Sequence, residues 1–158
     1  MDIRFIQKEQ AWQLRHMVMW PEEDFDYVKL KDDNEGTHFG LFEEEQLISV
    51  LSLFVHGAEA QFRKFATLTS HQNKGYGSKL LIYVLEEAER AGVKRIYCNS
   101  RKEKASFYEK FGFCKTENTF SKSGKDYIVM ERLYEHGKLM HPVKKLSDSG
   151  GFICHGTN

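Results

Sequence analysis

The chain has 158 residues, of which 41% are hydrophobic and 29% are charged, as expected of one compact domain. Lys and Arg number 23, as do Asp and Glu, so the basic excess typical of proteins that bind duplex nucleic acid is missing. The longest nearly apolar run, 47–55, is too short for a transmembrane helix, which needs about 20 residues, and no signal peptide is visible. The three cysteines, Cys98, Cys114 and Cys154, are too widely spaced for a disulfide framework and favour a reducing cytoplasm.

The N-terminal quarter of the chain predicts a short strand followed by a helix. Residues 4–7 read as a strand, and 9–20 carry apolar residues at a rough helical period that ends before Pro21. Residues 21–36 are acidic and irregular, and we expect a loop there with a short helix around 25–30.

Three strands are predicted next. Residues 37–42 and 46–55 are β-like and are joined by a short acidic turn, which is typical of a hairpin. Residues 61–68 alternate between two sets of side chains, as a strand with two usable faces does, and this alternation places Arg63 and Lys64 on opposite faces.

The clearest helix covers 76–91, where an apolar stripe repeats at helical spacing and Gly92 supplies the stop. The other predicted elements are strands at 93–99, 113–120 and 126–134 and a short helix at 104–111. Strands and helices that alternate between flanking hairpins indicate an α/β (α+β) fold with a mixed sheet. We predict one domain over 1–134, followed at 135–158 by a polar arm or a poorly ordered tail.

A glycine turn, Gln72-Asn73-Lys74-Gly75-Tyr76-Gly77-Ser78, lies between a predicted strand and the best helix. A helix N-terminus presents free N–H groups and the positive end of the dipole, and glycines allow a close approach, so a phosphate group fits there. The spacing does not match a P-loop, and Leu80 stands where a dinucleotide motif needs its third glycine. The alternative is that the two glycines only shape a tight turn.

Two motifs together resemble the GNAT superfamily of N-acetyltransferases. The family's turn [R/Q]-x-x-G-x-[G/A] is matched by Gln72, Gly75 and Gly77. Its short helix ending F-Y-x-x-x-G-F is matched by residues 107–113, Phe-Tyr-Glu-Lys-Phe-Gly-Phe. Each motif alone is weak, but the ordered pair at this spacing is strong evidence, and the resemblance covers roughly 37–134.

The resemblance implies a mostly antiparallel mixed sheet that is flanked by helices and splays between its fourth and fifth strands. Acetyl-CoA, the co-substrate, is expected in that opening. The implied cofactor contacts are the pyrophosphate on Gln72, Asn73, Lys74, Gly75, Tyr76, Gly77 and Ser78, and the pantetheine arm along Phe65, Ala66 and Thr67. Asn99 and Arg101 are further implied contacts, although the Asn that the family often carries at the position of Arg101 is absent.

The implied reaction is acetyl transfer to a primary amine of a small molecule or protein by direct attack. The amine must lose a proton and the departing CoA thiolate must gain one. Tyr108 matches the family's general acid, and the alternative is that it is a core aromatic. The base stays open, because Gln61 stands near the position of the family's usual Glu and cannot accept a proton at neutral pH. The remaining candidates are a water chain, His16, His38 and Glu22.

The implied partners are the amine acceptor and, since dimers are common in the family, a second copy of the chain; neither nucleic acid nor a membrane is expected. The sequence has no C-x-x-C or H-x-x-x-H pair, so we expect no metal site. Two rival hypotheses are a non-catalytic regulatory protein that binds acyl-CoA and a structural domain whose glycine turn is only a turn.

Overall fold

The computed structural model describes residues 1–135, which fold into a single sheet with helices on both faces. The strands are β1 (Asp2–Ile6), β2 (Thr37–Glu43), β3 (Gln46–His56), β4 (Glu59–Thr67), β5 (Arg95–Arg101), β6 (Cys114–Lys122) and β7 (Lys125–Leu133). The helices are α1 (Lys8–Met19), α2 (Tyr76–Arg90) and α3 (Ala105–Glu109). Every predicted strand and helix is present with bounds within two residues, except that a 3₁₀ turn at Phe25–Val28 replaces the short helix expected there. The predicted arm at 135–158 lies outside the described residues, apart from Glu135.

The sheet has the order β1-β2-β3-β4-β5-β7-β6 and is antiparallel except where β4 meets β5. Those two strands pair in parallel through three residue pairs only, the last of which is Gln61 with Tyr97. Beyond Gln61, β4 pairs with β3 alone, so one edge of its backbone from Phe62 to Thr67 faces an opening in the sheet. This confirms the predicted mixed, mostly antiparallel sheet that splays between its fourth and fifth strands.

The two faces of the sheet are covered by different helices. The predicted apolar stripe of α2 is buried against one face, and its buried members are Leu80, Leu81, Val84, Leu85 and Ala88. Ala105 and Phe111, from α3 and just after it, join the same cluster. On the other face, α1 contributes Leu14 to a smaller cluster with Val50 and Ala66. No helix within residues 1–135 is long and apolar enough to cross a membrane.

A β-bulge interrupts β4 beside the opening. The register between β3 and β4 shifts after the pair Ser52–Arg63, so that Lys64 and Phe65 together oppose a single residue of β3. Lys64 adopts φ +56°, in the left-handed region that residues other than glycine rarely occupy.

The bulge changes which side chains share a face, and the predicted placement of Arg63 and Lys64 on opposite faces is wrong. The Arg63 guanidinium lies 5.5 Å from the centroid of Phe54, and Lys64 Nζ lies 4.2 Å from that of Trp20 at the end of α1. Both cations are therefore on the α1 face. The extra residue in the bulge breaks the strict alternation on which the prediction depended.

Candidate active site

The N-terminus of α2 is an uncapped helix end. Its N-cap is Gly75, at φ +87°, and no side chain caps the helix. Within residues 1–135, the backbone N–H groups of Tyr76, Gly77 and Ser78 donate to no carbonyl and to no side chain. Free N–H groups combined with the positive end of the helix dipole form an anion-binding position.

Close packing holds this helix end against the end of β4. A Cβ at Gly77 would lie 3.1 Å from the ring of Phe65 and 3.3 Å from Thr67 Oγ1, so only glycine fits without a shift of its neighbours. The turn itself is fastened by Gln72, whose Nε2 donates to the Thr67 carbonyl at 3.0 Å. The structure therefore brings the predicted pyrophosphate turn and the predicted pantetheine segment, 65–67, into direct contact.

Tyr76 and Glu43 form a second contact at this turn. Tyr76 Oη donates to Glu43 Oε2 at 2.5 Å, and this hydrogen bond is the main cause that raises the pKa of Tyr76. The bond ties the first turn of α2 to the end of β2. Sequence reasoning did not anticipate it, because the two residues are far apart in the chain.

Tyr108 lies on α3, beside β4. Its ring centroid is 5.7 Å from that of Phe62, 5.2 Å from that of Phe107 and 6.0 Å from that of Phe113. Its hydroxyl makes no hydrogen bond within the described part of the chain. Burial raises the pKa of Tyr108, and the nearby thiol of Cys98 on β5 raises it further. The phenol therefore keeps its proton at neutral pH while its oxygen is available to another group.

The side chains of Asn99 and Arg101 lie on the β5 side of the opening. Buried and more exposed residues alternate along β5, and Cys98 is one of the buried ones in the core. Asn99 and Arg101 therefore project from the opposite face of that strand. Arg101 forms an ion pair with Glu103 at 3.5 Å. These two side chains therefore project from the sheet face opposite the one that α2 covers.

Two of the candidate bases already have hydrogen-bond partners. His38 is buried, and its Nε2–H donates to the Asp33 carbonyl at 2.9 Å while its Nδ1 accepts from the Ser52 hydroxyl at 2.7 Å. His16 Nε2 lies 2.7 Å from the Glu23 carbonyl, on the exposed side of α1. His38 therefore has no free nitrogen, and its neighbours give it a structural role.

The free amides at the α2 N-terminus suit an anion, and the uncovered edge of β4 suits an extended chain. The fold and the site are therefore those of a protein that binds an anionic, extended cofactor. The model of the acetyltransferase (GNAT) family matches residues 5–113, which is more than half of the chain. The chain therefore belongs to the GNAT acetyltransferase family, and it is an N-acetyltransferase that uses acetyl-CoA.

Individual relatives agree with this assignment. The uncharacterised N-acetyltransferase YitI of Bacillus subtilis (strain 168) is 27% identical over 140 residues, covering 82% of this chain and 94% of YitI. An aminoglycoside 6′-N-acetyltransferase complexed with coenzyme A superposes with a TM-score of 0.70 at 16% identity, covering 84% of this chain and 97% of the other. A Bacillus subtilis acetyltransferase in complex with CoA gives 0.67 at 17% identity, covering 84% and 98%. At these identities the solved structures show that the fold is shared.

Proposed function

We propose that this enzyme transfers the acetyl group of acetyl-CoA to a primary amine of a small molecule or peptide by direct attack, with Tyr108 as the general acid. The observation that carries the proposal is the opening beyond Gln61, which has free helix amides at one end and an unpartnered phenol beside it. The homodimer and the cytoplasmic location stay predictions from the sequence.

The residues around the opening fit acetyl-CoA, which supplies an activated acetyl thioester when bound. The free N–H groups of the turn 72–78 suit a pyrophosphate, and the missing side chain at Gly77 lets α2 begin directly against β4. The backbone edge of β4 at 65–67 is not covered by β5, although the Thr67 carbonyl accepts from Gln72. This edge suits the amides of the pantetheine arm, which would add to the sheet as an extra strand does.

We assign the same set of cofactor contacts as the sequence implies, with one refinement. The set comprises Phe65, Ala66, Thr67, Gln72, Asn73, Lys74, Gly75, Tyr76, Gly77, Ser78, Asn99 and Arg101. The side chain of Gln72 already donates to the Thr67 carbonyl, so we expect Gln72 to act through its backbone and by holding the turn.

The surroundings of Tyr108 suit an acid that donates to a departing thiolate. In water a phenol, with a pKa of about 10, is a weaker acid than a thiol, with a pKa of about 8.5. Burial disfavours both anions, and inside this protein it raises the pKa of the Cys98 thiol as well as that of the Tyr108 phenol. Burial therefore weakens the phenol as an acid and strengthens a neighbouring thiolate as a base, so the balance of the transfer stays close to that in water. What the site supplies is a protonated phenol whose oxygen has no hydrogen-bond partner within the described part of the chain.

The proposal is tested by measuring the release of free thiol from acetyl-CoA across a panel of primary amines. Tyr108→Phe should lower kcat by about 100-fold or more, as expected for loss of a general acid. It should leave the Kd for acetyl-CoA, measured by calorimetry, within about twofold of the wild-type value, because the ring is kept.

The matched control is Tyr83→Phe, which removes a hydroxyl from a half-buried tyrosine of α2 that packs against Phe39. We expect wild-type turnover from this variant. Full activity of Tyr108→Phe would exclude the acid role. An equal loss of turnover and of acetyl-CoA affinity would make Tyr108 a packing residue.

A further inference from the structure

Lys64 is a half-buried cation held in an unusual backbone conformation. It occupies the bulge of β4 at φ +56°, which costs a non-glycine residue about 1 kcal/mol or more. Its Nζ lies 4.2 Å from the ring centroid of Trp20, and no carboxylate of residues 1–135 pairs with it. Lysines that are withdrawn from solvent tend to be paired, and within the described part of the chain the Lys64 ammonium has the Trp20 ring beside it but no carboxylate.

The charges around Lys64 favour an anion. Two neighbouring cations on this face are neutralised, in the ion pairs Arg15–Asp33 and Arg63–Asp32. Lys122, in the β6–β7 hairpin, is a nearby cation for which residues 1–135 provide no ion-pair partner. Burial lowers the pKa of Lys64 to about 8, with repulsion from Arg15, Arg63 and Lys122 adding to the effect and the attraction of Asp33 opposing it. An anion bound beside Lys64 would relieve this repulsion.

Lys64 is also close to the proposed site of reaction. It lies two residues beyond Phe62, whose ring contacts that of Tyr108, on the stretch of β4 that β5 does not cover. The opening between β4 and β5 begins just before Phe62 and connects the α3 face, where Tyr108 lies, with the α1 face, where Lys64 lies.

We propose that Lys64 binds a carboxylate of the acceptor, so that the preferred acceptors are amines that also carry a carboxylate. The proposal rests on the acetyl transfer proposed above and adds the acceptor class to it. Trp20, which lies beside the Lys64 ammonium, would contact the hydrocarbon part of the acceptor. Of the two cations that β4 places on this face, Arg63 is paired with Asp32, and Lys64 has no carboxylate partner within residues 1–135.

The test compares amino acids with their carboxamides, which keep the amine and remove the charge. Each of five amino acids is compared with its own carboxamide: glycine, β-alanine, γ-aminobutyrate, leucine and phenylalanine. The release of thiol from acetyl-CoA gives kcat/KM for the acid and for the amide of each pair. Binding of the same probes to the protein saturated with CoA is measured by calorimetry. For at least one pair, the wild type should favour the acid about tenfold or more, since a hydrogen bond to a charged group contributes that much.

Lys64→Met, which keeps the length of the apolar stem, should abolish the preference by raising KM for the acid and leaving kcat/KM for the amide within about threefold. Lys64→Arg should retain part of the preference. The control is Lys94→Met, at an exposed lysine just before β5, which should keep the wild-type preference. The melting temperature and the Kd for acetyl-CoA verify that each variant is folded.

The outcomes separate this proposal from the proposed function. If the wild type turns over amines without favouring any acid over its amide, the Lys64 assignment is wrong and the acetyl transfer stands. If Lys64→Met lowers kcat equally for acids and amides, Lys64 serves the chemistry, for example as a base, and the assignment is also wrong. If neither acids, amides nor simple amines release thiol, the proposed function fails and the Lys64 assignment fails with it.

Discussion

Gly77 is the residue at which the smallest change should have the largest effect on cofactor binding. Its hydrogen occupies the space where a Cβ would press on Phe65 at 3.1 Å and on Thr67 at 3.3 Å. The glycine therefore allows α2 to begin directly against β4, and its own N–H is among the free amides of the turn. Two substitutions of increasing size, the second of which also adds a charge, probe this position.

Gly77→Ala should weaken acetyl-CoA binding severalfold, because the ring of Phe65 must move by a few tenths of an ångström. Gly77→Glu should weaken it by a further tenfold or more, about 1.4 kcal/mol, because a carboxylate then competes with the pyrophosphate for the free amides. Calorimetric titration of acetyl-CoA gives both affinities, and thermal unfolding verifies the fold. Equal affinities for the two variants would mean that no phosphate lies at this turn.

At the scale of elements, a buried polar network fixes α1 to the sheet beside the proposed acceptor side. Arg15 is fully buried on α1 and forms two hydrogen bonds with Asp33, at 2.9 and 3.0 Å. Asp33 also accepts from Trp12 at 2.7 Å, and Arg15 donates to Ser52 on β3 at 2.8 Å. The network joins α1, the segment 21–36 and β3, and so positions Trp20 and Lys64 relative to each other.

Asp33→Asn should destabilise the protein by about 3–5 kcal/mol at pH 7, because it leaves the buried Arg15 guanidinium without its counter-charge. Burial opposes ionisation of Asp33, but hydrogen bonds from Arg15, Trp12 and the Leu30 amide outweigh it and lower the Asp33 pKa. A lowered folded-state pKa stabilises the protein above the unfolded-state value, about 3.9, and this stabilisation is lost as the pH falls through the folded-state pKa.

Urea unfolding between pH 7 and pH 3 measures this effect as the difference between wild type and Asp33→Asn. The difference should narrow as the pH falls below about 4. The control is Asp32→Asn, whose ion pair with Arg63 is partly exposed, so it should cost less than about 1 kcal/mol. Similar losses from the two variants, or a difference that does not change with pH, would contradict the account of the network.

At the scale of the whole molecule, the splay of the sheet was implied by the resemblance to the GNAT superfamily, whereas the bounds and order of the elements could be predicted from the residues themselves. Those features depend on local patterns, namely the apolar stripe of α2, the glycine turn before it and the short helix that carries Tyr108. The hairpin between β2 and β3 was predicted from its polar turn, although its turn residues, Glu44 and Glu45, adopt left-handed conformations usually filled by Gly or Asn.

The features that sequence reasoning missed depend on distant pairings. The bulge at Lys64 follows from the register of β4 against β3, which the alternation along β4 alone does not specify. Asp33 lies in an acidic stretch that reads as a solvated loop, and its burial depends on Arg15 and Trp12, both of them on α1. These same pairings place Lys64 on the α1 face, so the proposed acceptor preference could come only from the structure.

The central claim is that acetyl-CoA lies in the opening between β4 and β5, and a crystal structure of the protein with bound CoA tests it most directly. The account predicts that the diphosphate accepts hydrogen bonds from the backbone amides of Tyr76, Gly77 and Ser78. It also predicts that the pantetheine arm runs along β4 at 65–67 and that the CoA sulfur lies within hydrogen-bond reach of Tyr108 Oη. A diphosphate bound away from the α2 N-terminus, or a sulfur remote from the phenol, would contradict it.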